Sequence, residues 1–202
     1  MNKIVKNAAI LTAITLVSGL LLGFVFEITK DPIAVSKEKT KQEAYKAVMN
    51  DAEEFEAYDK FDEKEAEEAL KKAGVSGCYI MEAAEAKDGN GETMGYVVNT
   101  ASKEGYGGEI HISVGILNDG TVTGIEILSI SETAGLGMKA IEPEFKGQFK
   151  DVQTERFSVK KDDPSGNVDA LSGATITSRA VTGAVNAGLG YFQNVLGGGV
   201  NE

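Results

Sequence analysis

Residues 109–117 read EIHISVGIL, residues 118–120 read NDG, and residues 121–130 read TVTGIEILSI. In the first run Ile110, Ile112, Val114 and Ile116 occupy alternate positions, the period of a strand with one face on a core. Asn118-Asp119-Gly120 joins the two runs, and residues that tolerate positive φ between two apolar runs are a strong hairpin signal. Working upstream, CYIMEAAEA (78–86) and MGYVVNTAS (94–102) have the same character, and Lys87-Asp88-Gly89-Asn90-Gly91 between them reads as a turn. Residues 37–58 place Tyr45, Val48, Met49, Ala52 and Phe55 at helical spacing. A second helix is expected from about 62 to 73, stopped by Gly74. Residues 139–149 read as a short helix or irregular structure. Residues 178–195 carry Ala180, Val181, Ala184, Val185, Leu189 and Phe192 spaced for a packed helix. The terminal GGGVNE is expected to be loose. The fold class is α+β: an antiparallel sheet with flanking helices, plus one N-terminal transmembrane helix.

That last element is residues 8–26, AAILTAITLVSGLLLGFVF, 19 residues without a charge. As a helix they cover about 28 Å, close to the hydrocarbon thickness of a bilayer. Thr12, Thr15 and Ser18 do not veto insertion, because their hydroxyls can bond back to helix carbonyls. The flanks, Lys3 and Lys6 before and EITKDPIAVSK after, hold no A-x-A cleavage site. An uncleaved signal anchor therefore fits better than a cleaved signal. Lys3 and Lys6 favour the N-terminus inside, but Lys30, Lys37, Lys39 and Lys41 lie beyond the span, so lysine counting alone leaves the orientation open.

The 202 residues include 20 Lys+Arg against 31 Asp+Glu, a net charge of −11, with one Cys, one His and no Trp. The acidic balance argues against nucleic acid, which selects a basic face. One Cys and one His cannot build an all-Cys/His zinc site or an iron–sulfur cluster, and a lone Cys forms no disulfide within the chain. The chain divides into an anchor (1–28), a helical linker (29–75) and a carboxy-terminal domain (76–202).

Three glycine-bearing segments hold the candidate chemistry: Gly105-Tyr106-Gly107-Gly108, then Glu132-Thr133-Ala134-Gly135-Leu136-Gly137, then residues 169–178, DALSGATITS. None is a P-loop or a Rossmann fingerprint. In the third, Ser172, Thr175, Thr177 and Ser178 crowd the start of a helix. Free N–H groups and the positive dipole end suit an anion there, with Gly173 and Ala174 keeping the approach open. The plain alternative is that these hydroxyls only cap the helix.

VDALSGATITSRAVTGAV (168–185) closely resembles the flavinylation motif of the FMN-binding domain family, D-x-x-S/T-G-A-T. ETAGLG (132–137) is similar to that family's E-T-P-G-L-G element, with Ala134 where Pro is usual, and GYGGEI (105–110) resembles a third. Within the family the pattern is most similar to G subunits of Rnf ion-translocating ferredoxin:NAD oxidoreductases, and also to C subunits of sodium-pumping quinone reductases. The resemblance implies an electron-transfer subunit with FMN held covalently on Thr175 through a phosphoester. It further implies a flavin transferase that uses FAD and magnesium, other membrane subunits as partners, and a domain on the extracytoplasmic side of the cell membrane. The phosphate is then expected near residues 172–178. The ring is expected to reach Thr133, Leu136, Gly137 and Met138, with Gly107 and Gly108 allowing close backbone approach.

Other residues have plainer readings. His111 reads as a surface or cross-strand residue and Cys78 as a small core residue. Asp169 either orients its loop by accepting N–H bonds or helps the transferase recognise the motif. Glu132, taken alone, reads as loop surface. Two other functions compete: a stand-alone extracytoplasmic flavoprotein, and a membrane-anchored scaffold without cofactor.

Overall fold

Ile110, Ile112, Val114 and Ile116 are completely buried, and they form the centre of the fold. The computed structural model describes residues 2–197. They form two compact units, divided between Thr40 and Lys41. Five strands joined by short or helical connections, and a two-residue sixth, make one antiparallel meander in the order β1 (Glu54–Ala57), β2 (Cys78–Lys87), β3 (Thr93–Ser102), β4 (Ile110–Leu117), β5 (Thr121–Ser129), β6 (Val152–Gln153). Both expected turns are present. Gly120 closes the β4–β5 loop at φ +85, donating to Leu117, and Asp88 accepts the N–H groups of Asn90 and Glu92 before Gly91 at φ +81.

Helix α1 (Lys3–Val48) is continuous. It runs through Pro32 without a break, where separate segments were expected. Proline removes one helical hydrogen bond, and the helix continues past it. Its most apolar window has mean hydropathy 2.4 and no buried residue, so the helix is long and apolar enough to cross a membrane. The helix stops at Val48, ten residues before the expected end. Phe55 lies in β1, because residues 54–57 pair with residues 84–87 of β2. Edge pairing of four residues overrode a helix-rich composition.

Within the second unit both faces of the sheet are covered. Tyr45, Val48 and Met49 at the end of α1 pack with Ala84, Ala86 and Val97 on one face. On the other lies α4 (Thr175–Tyr191), whose Ala180, Val181, Ala184, Val185 and Leu189 meet Val98, Ile112 and Val114. Burying each Ile or Leu is worth about 1.5–3 kcal/mol, which makes this seam the main source of stability. Helix α2 (Glu63–Lys72) starts on Asp62, whose carboxylate accepts from Lys64 and Glu65, and ends at Gly74 with φ +63, as expected. Residues 139–149 are short helical turns around α3 (Pro143–Lys146). The expectation of a loose tail covers residues 197–202, of which all but Gly197 lie outside the described residues.

Candidate functional site

Helix α4 begins at Thr175, three residues earlier than its apolar spacing suggested, so Thr175 and Thr177 belong to its first turn. Its N-cap is Ala174, and no side chain caps it. The capping reading of the four hydroxyls is therefore corrected. Ser178 Oγ donates to the Ala174 carbonyl and accepts from the Leu171 N–H, at 3.0 and 2.9 Å, folding the preceding loop over the helix start. Gly173 makes the turn at φ +75. With no capping side chain, the first-turn N–H groups and the positive dipole end remain available to an anion.

Glu132, just after β5, joins the three glycine segments. Its carboxylate accepts from the Gly107 N–H at 3.2 Å and from Thr177 Oγ1 at 3.0 Å. Two glycines make this possible. A Cβ on Gly137 would stand 2.6 Å from Thr177 Oγ1 and 2.7 Å from Glu132 Oε2. A Cβ on Gly107 would stand 1.9 Å from the Ser131 carbonyl. The close neighbour of Gly107 is thus the Ser131 backbone. Gly108, at φ +140, has open space around it.

These segments surround a cleft of about 550 Å³, within the usual range for a cofactor site. Tyr106, Glu132, Thr133, Leu136, Gly137, Gly173, Ala174, Thr175 and Thr177 line it, together with Ile176, which the sequence did not single out. Tyr106, Leu136 and Ile176 are exposed apolar groups on its walls, 71%, 43% and 49% accessible. The remaining predicted residues lie off the cleft. Gly135 makes a turn at φ +76, Met138 N–H donates to the Thr133 carbonyl, and the Ser178 side chain is buried. Ser172 and Asp169 line a separate hollow of about 240 Å³ with Glu142 and Gln148. Among the described residues Asp169 accepts no backbone N–H group. Its carboxylate accepts from Lys160 Nζ at 2.7 Å, and its own N–H donates to Gln148 Oε1.

The hydroxyls of the motif differ in what they can still do. Thr177 and Ser178 are buried and committed to Glu132 and to backbone. Thr175 is half-buried, lines the cleft, and accepts from Lys161 Nζ at 3.0 Å. Sequence reading missed Lys161, and no local signal pointed to it. It lies 14 residues upstream in a loop without periodicity. Asp162 next to it is bound by Arg179, whose guanidinium holds that carboxyl below the usual carboxylate range.

The chain's other reactive groups lie elsewhere. His111 bonds Glu109 at 3.3 Å, and Tyr79 with His111 keeps the Glu109 carboxyl low. Burial pushes the Cys78 thiol up. Among the described residues no cluster of His, Cys, Asp or Glu would hold a metal ion. The cleft suits FMN on its own terms: an uncapped helix start and an ammonium for a phosphate, apolar walls for a ring.

Residues 105–190 match the FMN-binding domain family, and residues 1–48 match the RnfG N-terminal region. The G subunit of the proton-translocating ferredoxin:NAD(+) oxidoreductase complex of Clostridium ljungdahlii is 35% identical over 96% of this chain and 93% of that protein. The G subunit of the Na(+)-translocating complex of Acetobacterium woodii is 33% identical over 94% and 92%. That of the ion-translocating oxidoreductase complex of Methanosarcina acetivorans is 32% identical over 95% and 96%. With similarity running almost end to end through anchor, sheet and cleft, the chain belongs to the family of G subunits of ion-translocating ferredoxin:NAD(+) oxidoreductase complexes.

Proposed function

We propose that this chain is the FMN-carrying electron-transfer subunit of a membrane-bound, ion-translocating ferredoxin:NAD(+) oxidoreductase complex, with FMN attached to Thr175 by a phosphoester. The observation that carries the reading is the Thr175 hydroxyl. It faces an apolar-walled cleft, at an uncapped helix start, with an ammonium 3.0 Å away. Bound FMN supplies one- and two-electron redox chemistry, which a chain with one Cys and one His does not provide from its own side chains.

The chain's residues bind and orient. The first turn of α4 offers N–H groups and dipole to the phosphate. Leu136, Tyr106 and Ile176 offer apolar surface to the ring, excluding water from its faces. Glu132 holds the cleft's two sides together rather than acting as loop surface. Residues 8–26 span the bilayer, and the domain lies on the extracytoplasmic face, an orientation that the family resemblance implies and that Lys3 and Lys6 alone leave open. The span has no charged residue, so ion movement belongs to partner membrane subunits. A flavin transferase attaches the cofactor.

In-gel flavin fluorescence and intact mass, on denatured wild type and Thr175→Ala from native membranes, test the attachment. Fluorescence and a mass gain of FMN minus water in wild type alone are expected. Fluorescence in both moves the attachment to another hydroxyl. Its absence from both, with active transferase present, overturns the covalent reading.

A further inference from the structure

We infer that Lys161 is the residue that presents Thr175 for flavin attachment and then holds the charge of the resulting phosphodiester. The inference rests on the covalent reading above, and goes beyond it in assigning a role to a loop outside the motif. Lys161 sits in a tight turn in which the N–H groups of Asp162 and Asp163 both donate to the Val159 carbonyl, at 2.9 and 3.1 Å. Each charged neighbour already has a partner. Lys160 is paired with Asp169 at 2.7 Å, Asp162 with Arg179, and Asp163 with the N–H and hydroxyl of Ser165. Arg179 lies one helical turn after Thr175, so its pairing with Asp162 fixes the loop against the acceptor's own helix. Lys161, without an ion pair among the described residues, donates instead to Thr175 Oγ1 at 3.0 Å. An ammonium at that oxygen attracts a phosphate brought to it, and a charge-assisted bond to the product survives attachment.

The step balances without redox change. Thr175 Oγ attacks the flavin-side phosphorus of FAD, the Oγ–P bond forms, the P–O–P bond breaks, AMP leaves, and the hydroxyl proton passes to the transferase or solvent. The product diester carries one negative charge, which Lys161 meets.

The test uses the full chain in detergent with the flavin transferase, FAD and magnesium, following the initial rate of FMN incorporation by intact mass. Wild type, Lys161→Ala, Lys161→Arg and Thr175→Ala are compared, with thermal melts of each. Lys161→Ala is expected to label about tenfold more slowly, Lys161→Arg to stay within about threefold of wild type, and all melts to coincide because the side chain is exposed. Added salt should narrow the gap between wild type and Lys161→Ala, since it screens the charge that distinguishes them. Wild-type labelling rates in Lys161→Ala overturn the inference. So does an equal loss in the Ala and Arg variants, which would make shape rather than charge the requirement. No label on wild type overturns the covalent reading itself, and this one with it.

Discussion

Removing the Glu132 carboxylate separates the three glycine segments. In Glu132→Ala the Gly107 N–H loses its acceptor at 3.2 Å and Thr177 Oγ1 loses its acceptor at 3.0 Å. The two losses are unequal. Gly107 is exposed, so water replaces most of what its N–H loses. Thr177 is 1% accessible, and its hydroxyl is left unsatisfied. Hydrogen bonds to a charged group contribute about 1.5–3 kcal/mol each when the partner is buried, so the Thr177 bond dominates and the expected cost is about 2 kcal/mol. For a unit of this size that lowers Tm by roughly 4–8 °C. Glu132→Gln keeps a neutral acceptor and should lose about half as much. A double-mutant cycle with Thr177→Val isolates the coupling, expected at about 1–2 kcal/mol. The assay is thermal melting of the full chain followed by near-UV circular dichroism. A Tm within about 1 °C of wild type for Glu132→Ala, or additive losses in the cycle, would refute the clamp.

Other outcomes follow from the same structure. Gly107→Ala places a methyl 1.9 Å from the Ser131 carbonyl and should cost about 2 kcal/mol or more through backbone displacement; a denaturant midpoint unchanged from wild type contradicts this. Tyr191 carries a buried hydroxyl with no hydrogen-bond partner among the described residues, and burial pushes its pKa up. Tyr191→Phe is therefore expected to be neutral or stabilising by up to about 1 kcal/mol, and a clear fall in the melting curve would point to a bound water there. The Arg179 guanidinium holds the Asp162 carboxyl below its ordinary value. Its contribution to loop order is then complete above the unfolded value and is lost as pH falls through the lowered folded one. A carboxyl-carbon NMR titration should show the lowered midpoint, and Arg179→Gln should raise it toward the ordinary value. Phe149→Ala opens a cavity beneath Phe145 and Phe157 and should cost about 3–5 kcal/mol in chemical denaturation.

Strands β2 to β5 and both of their turns were legible because strand period and turn chemistry are written within a few neighbouring residues. Two strands were not. β1 is only EFEA, set in helix-rich composition, and exists because the β2 edge pairs with it. β6 is a two-residue pairing with β5. The start of α4 was misplaced because Thr175, Ile176 and Thr177 carry no apolar period, although they open the helix. In the site, the three glycine segments were legible as motifs, and the structure sorts their members. Leu136, Thr175 and Tyr106 face one cleft, while Asp169 and Ser172 face another hollow.

The amino-acid sequence by itself determined an apolar helix able to cross a membrane, an antiparallel α+β domain, and the segments that supply the cleft. Each of these rests on residues close together in the chain: 19 uncharged positions, an alternating run, a glycine turn. Only the tertiary structure decided which hydroxyl stays available, which carboxylate joins the segments, and which lysine meets Thr175. Those contacts span separations of 14, 25 and 45 residues. No local period encodes a meeting at such distances. The meander brings the β5 end and the loop before β4 to the start of α4, and side-chain packing there settles which atoms touch.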